Sequence, residues 1–123
     1  MRYVARIHVG EIAAAHHLPG YPGPCAEPHG HNYAFEVTVG AEALHQDMIV
    51  DFSLVKGVCR RLDHTSLNDD PDLAAPPHRP TTERLAEVVA GRIQRALDAL
   101  PNRPRLLALS VRETRHHEVV FTP

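Results

Sequence analysis

Pro28-His29-Gly30-His31-Asn32 sets two imidazoles two residues apart. Successive side chains of a strand point to opposite faces, so His29 and His31 share a face and can share one metal ion. Gly30 between them leaves the backbone unobstructed. A catalytic zinc takes three protein ligands and keeps one position open. His16 and His17 stand at the far end of an earlier strand, where an antiparallel partner brings them close. One of the two is expected to complete the set. The opposing reading is an HxH pair that merely decorates a strand with polar groups. Four histidines at the touching ends of two adjacent strands weigh against it.

Three further groups carry chemistry. Cys25 lies four residues before His29, and a thiolate beside a metal ion and an imidazolium is electrostatically favoured. The bland alternative is an inert loop thiol. Asp63 precedes His64, and a carboxylate can orient an imidazole and stabilise its charged form. The same two residues also suit a turn that ends a helix. Glu113 shares strand parity with Leu107, Leu109 and Val111, which puts a carboxylate on an apolar face. Such a group needs donors, from an arginine or from a ligand.

The elements that must position these groups follow from periodicity. Residues 2–9 alternate, with Tyr3, Ala5, Ile7 and Val9 on one face. Residues 18–28 are loop by composition. Tyr33, Phe35, Val37 and Val39 mark a second strand. Ser53 reads as the N-cap of a helix carrying Leu54, Val55, Val58 and Leu62, with Arg60 and Arg61 in its last turn. Asn68 to Pro80 reads as loop, and Thr81 or Thr82 caps a longer helix whose stripe runs from Leu85 to Leu100. Leu107, Leu109 and Val111 alternate again, and a short strand over Glu118 to Phe121 closes the chain. The order ββααββ predicts one α+β domain over residues 1–123, a four-stranded antiparallel sheet with two helices on one face.

Composition narrows the function classes. The chain has 123 residues and 43% hydrophobic content, which fits one globular domain. A formal net charge of -2 gives no reason to expect nucleic acid or an anionic membrane as partner. Arg6, His8 and Glu11 interrupt every early apolar stretch, so no signal peptide is expected, and no apolar run reaches membrane-spanning length. A cytoplasmic location is expected, with Cys25 and Cys59 as free thiols. Cys59 reads as a packing residue, and His17, His45, His78, His116 and His117 have no assigned role.

One rival motif is Gly23-x5-His29-x-His31-x4-Glu36, which resembles the first metal motif of cupins. A glycine expected further on is Ala43 instead, and Glu36 has the wrong parity to join the histidines without a bulge. A cupin is also nearly all strand, whereas two helices are expected here.

A more specific resemblance comes from an ordered set of segments. They are Ala14-Ala15-His16-His17-Leu18-Pro19, Cys25-Ala26-Glu27-Pro28-His29-Gly30-His31, Val50-Asp51-Phe52, Leu62-Asp63-His64-Thr65-Ser66-Leu67-Asn68-Asp69, Pro80-Thr81-Thr82-Glu83 and Arg112-Glu113-Thr114. Together they resemble the 6-pyruvoyltetrahydropterin synthase and 6-carboxytetrahydropterin synthase family over nearly the whole chain. The resemblance implies the tunnelling fold, whose subunits assemble into a barrel, usually a homohexamer with active sites between subunits. It implies a zinc cofactor on His16, His29 and His31, catalysis by Cys25, Asp63 and His64, and a pterin ring anchored by Glu113. Thr82, Glu83 and Thr114 fall where ring contacts are expected. Glu27 is a further acidic group near the proposed base, as in relatives that cleave dihydroneopterin differently. The short gap between Cys25 and His29 resembles the 6-carboxy branch, which feeds deazapurine synthesis of the queuosine type. The implied reaction converts 7,8-dihydroneopterin triphosphate to 6-carboxytetrahydropterin, acetaldehyde and triphosphate. The alternatives are triphosphate elimination to 6-pyruvoyltetrahydropterin, or a zinc-containing pterin binder without turnover.

Overall fold

In the computed structural model, which describes residues 1–123, two long strands form the spine of the sheet. β1 (Tyr3–His16) and β2 (His29–Ala41) run antiparallel, with Tyr3 opposite Ala41 at one end and His16 opposite His29 at the other. β4 (Arg105–Thr114) adds antiparallel to β2, and β5 (His117–Phe121) adds antiparallel to β4. A fifth strand corrects the four-stranded antiparallel expectation. β3 (Thr65–Ser66) lies parallel on the outer edge of β1, so the sheet is mixed, in the order β3-β1-β2-β4-β5. Two polar residues carry no alternation, so nothing local marks them as strand. Neighbouring contacts dock them instead. The Ala13 N–H donates to Asp63 Oδ1 at 2.9 Å, and the His64 N–H donates to the Ala13 carbonyl at 2.6 Å.

Three helices cover one face: α1 (Phe52–Arg60), α2 (Pro71–Ala74) and α3 (Thr82–Asp98). Their Val55, Cys59, Leu73, Leu85, Val89, Ile93 and Leu97 mesh with Ile7, Val9, Ile12, Phe35, Val37, Val39, Leu109 and Val111 of the sheet. The opposite face is polar. His8 pairs with Glu36 at 3.4 Å and Arg112 with Glu118 at 3.1 Å, so no helix is drawn to that side.

The caps differ in part from expectation. Asp51, not Ser53, caps α1, because its Oδ1 accepts from both the N–H and the hydroxyl of Ser53. Thr81 caps α3 through an Arg84 N–H bond of 3.1 Å. In β4 a register shift opposite Thr38 and Val39 buries Leu106 and leaves Leu107 only partly covered. The stretch read as loop from Asn68 to Pro80 also holds α2, one turn capped by Asp70. A single turn is too short to show periodicity, yet its Leu73 is fully buried. Leu73→Ala is expected to lower stability by ~2–5 kcal/mol, read as a lower urea midpoint at unchanged slope.

Candidate functional site

The metal-type cluster is assembled by strand register. His29 and His31 share parity with Tyr33, Phe35, Val37 and Val39, so they continue the helix-facing side of β2 beyond the core. β1 reaches the same side by a different route. Ile7 and Val9 are buried before a register shift between Val9 and Ile12; Ile12, Ala14 and His16 are buried after it. The shift exchanges odd for even positions. It therefore brings His16, not His17, onto the face of His29 and His31. His17 is tied elsewhere, with its N–H donating to Asn68 Oδ1 at 2.9 Å.

The three rings stand edge to face. Their centroids are 4.4 Å apart for His16–His29, 5.2 Å for His16–His31 and 5.0 Å for His29–His31. His16 Nδ1 lies 2.8 Å from the Pro80 carbonyl, and His29 Nδ1 lies 2.8 Å from the Glu27 carbonyl. A carbonyl only accepts, so in both rings Nδ1 carries the proton and Nε2 presents a lone pair. The Nε2 atoms of His16 and His31 are buried with no hydrogen-bond partner. Burial, with help from His16 and His29, holds the His31 ring below its ordinary pKa of 6.5, even though Glu113 pulls it upward. A neutral ring is the form that binds metal.

Glu113 closes the cluster. Its Oε1 lies 2.7 Å from His31 Nε2 and 3.6 Å from His16 Nε2, and its Oε2 accepts from the Thr82 hydroxyl at 2.5 Å. One ligand atom from each of His16, His29, His31 and Glu113 falls within 4.8 Å of all the others. Three imidazoles and a carboxylate form a donor set suited to zinc, and the carbonyls on Nδ1 are the outer partners that metal-bound histidines usually have. The residues present therefore fit the metal. Pro80 was missed from the sequence because any residue offers a carbonyl; only its place beside Thr81 and Thr82 hinted at it. Tyr33, which in the sequence marks only a strand face, also borders the cluster. It is buried beneath the rings of His16 and His31 at 6.1 and 5.8 Å, with its hydroxyl unpartnered.

Other expected site residues are placed less centrally. Cys25 is half-buried in a single 3-10 turn, Pro24–Ala26, and its carbonyl accepts from the Leu18 N–H at 2.7 Å. The Glu27 side chain is exposed. Glu83 is exposed, and the Thr114 hydroxyl accepts from the His116 N–H at 3.2 Å. Asp63 and His64 form a pair, His64 Nδ1 to Asp63 Oδ1 at 3.1 Å. The Ala13 N–H, more than the nearby imidazole, holds the Asp63 carboxyl below its ordinary range. Neither residue joins the cluster of His16, His29, His31 and Glu113. His64 is 83% exposed and borders a groove that His31 also lines, together with Ala13, Ala14, Asn32 and Thr65.

The two cysteines differ as expected. Burial in the core pushes the Cys59 thiol up to about 12. Labelling of the native protein with a thiol reagent should therefore modify Cys25 and spare Cys59 until denaturant is added. Equal labelling of both would show that α1 does not pack as described.

The family model described as 6-pyruvoyl tetrahydropterin synthase matches residues 7–123. The 6-carboxy-5,6,7,8-tetrahydropterin synthase of Bacillus subtilis (strain 168) is 36% identical over 117 residues, covering 91% of this chain and 80% of that protein. The 6-pyruvoyl tetrahydropterin synthase of Caenorhabditis elegans superposes with a TM-score of 0.75 at 20% identity, covering 98% of this chain and 96% of that one. The Plasmodium vivax 6-pyruvoyltetrahydropterin synthase, as a catalytic-residue mutant with glutamate replaced by alanine, gives a TM-score of 0.67 at 16% identity, with 98% of each chain covered. At such identities the two structures speak for the fold. With the family match spanning almost all of the sheet and helices that carry the histidines, this chain belongs to the 6-pyruvoyl tetrahydropterin synthase family and is an enzyme of the lyase type.

Proposed function

We propose that this chain is a zinc-dependent lyase that converts 7,8-dihydroneopterin triphosphate and water to 6-carboxy-5,6,7,8-tetrahydropterin, acetaldehyde and triphosphate. The observation that carries this reading is the convergence of His16, His29 and His31 on one side of the sheet, with two buried Nε2 atoms unpartnered. The similarity to the Bacillus subtilis enzyme favours the 6-carboxy product. A zinc ion held there supplies Lewis acidity toward the side-chain hydroxyls of a bound pterin. The chain's own residues do the rest. Glu113 offers a carboxylate for the paired N–H and amino groups of the pterin edge, with Thr82 orienting it. Cys25, on the loop that leads into His29, takes the proton made acidic beside the metal.

Asp63 and His64 stand outside the four-residue cluster, with Asp63 on the Ala13 N–H and His64 exposed, so in this reading they complete the site of a neighbouring subunit. The outer edges of β3 and β5 supply pairing surfaces for closing such a barrel. A homohexamer is expected in sedimentation; a fully active monomer would overturn the shared site. The deciding experiment incubates the purified protein with dihydroneopterin triphosphate and identifies products by mass spectrometry. 6-Carboxytetrahydropterin with acetaldehyde supports the proposal. 6-Pyruvoyltetrahydropterin makes the chain a triphosphate-eliminating enzyme instead, and unchanged substrate makes it a pterin binder.

A further inference from the structure

Glu113 stands among the histidines in a way that anchoring a pterin ring does not require. Its Oε1 is 2.7 Å from His31 Nε2 and 3.6 Å from His16 Nε2. Yet neither ring nitrogen is aligned with it as a hydrogen-bond donor. For His16 the reason is clear: its Nδ1 is spent on the Pro80 carbonyl, so Nε2 offers a lone pair. A lone pair facing a carboxylate oxygen is unfavourable unless a cation lies between them. The other oxygen, Oε2, is held by the Thr82 hydroxyl at 2.5 Å, which turns Oε1 toward the rings. A carboxylate with one oxygen among imidazole nitrogens and the other on a hydroxyl is arranged as a metal ligand with its orienting partner. Thr82 is itself buried, so this partner is built in rather than incidental.

We propose that in the pterin-free enzyme Glu113 Oε1 is the fourth ligand of the metal, held by Thr82, and that a hydroxylated pterin side chain displaces it on binding. The inference rests on the three-histidine metal site proposed above. One coordinate bond, carboxylate oxygen to metal, is exchanged for another, pterin oxygen to metal. No electron is transferred, and no co-reactant is needed. The displaced carboxylate is then free to accept from the donor groups of the ring. The same residue thus guards the open position when substrate is absent and recognises the substrate once it has arrived.

Cobalt(II) in place of zinc tests this without turnover, since its visible absorption reports the ligand set. The proteins are wild type, Glu113→Gln and Thr82→Val, each titrated with Co²⁺ and then with 7,8-dihydroneopterin, which lacks the triphosphate. The pterin-free spectra of wild type and Glu113→Gln should differ, and cobalt should bind the variant roughly ten-fold more weakly. At saturating dihydroneopterin the two spectra should coincide, because the carboxylate has left. Thr82→Val should fall between them in cobalt affinity. Should Glu113→Gln fold poorly, Glu113→Asp gives the same readout with a carboxylate one methylene too short. Matching pterin-free spectra at full cobalt loading would show that Glu113 is no ligand. A difference that persists at saturating pterin would show that it is not displaced. A His29→Ala protein with the wild-type cobalt spectrum would instead overturn the three-histidine site itself.

Discussion

Cys25→Ala is expected to lower turnover of dihydroneopterin triphosphate by ~10²–10⁴-fold, the usual worth of a positioned general base. Zinc content and pterin affinity should hardly change, since the proposed ligands lie on β1 and β2 and the ring contact lies on β4. The complication is Glu27. Its carbonyl already fixes His29, so the loop holds this residue close to the metal site while its side chain stays exposed. The assay therefore uses Cys25→Ala, Glu27→Ala and the double variant, scored for total product and product identity. If Glu27→Ala alone stops the reaction, the carboxylate is the base and the thiol a bystander. A shorter 6-hydroxymethyl pterin from Cys25→Ala would mean that the two groups direct competing outcomes.

The second large effect concerns metal. Purified protein should carry about one zinc per chain, and His16→Ala, His29→Ala and His31→Ala should each lose most of it. His17→Ala should keep it, because the register shift in β1 turns that side chain away. Acid should also strip the metal, because protons compete for the ring nitrogens. The lowered pKa of His31 moves its share of that competition below the ordinary 6.5. The metal-free unfolded chain takes up this proton more readily than the folded one, so the contribution of His31 to stability is present above 6.5 and declines as pH falls. Metal analysis across a pH series on wild type and the four variants checks both statements. Full zinc retention in all three ligand variants would remove the site.

Much of this site was legible because its signals are local. An HxH pair on an alternating strand declares its own face, since a strand repeats every two residues. The capping threonine before α3, the packing role of Cys59 and the core face of β2 follow from equally short patterns. What the tertiary structure alone decided depends on partners distant in the chain. The choice of His16 over His17 hangs on one extra residue in β1, and a bulge is defined by the strand opposite it, not by its own composition. The parity of β4 shifts for the same reason, trading Leu107 for Leu106. β3 exists because Asp63 and His64 bind the edge of β1, and that docking keeps the pair out of the four-residue cluster. The tautomers of His16 and His29 are set by the carbonyls of Pro80 and Glu27, a group every residue has and no motif can mark. The sequence by itself thus determined the candidate residues for the chemistry and the strands that carry the three histidines. The fold decided which of them meet, because meeting depends on register and packing between segments that do not touch along the chain.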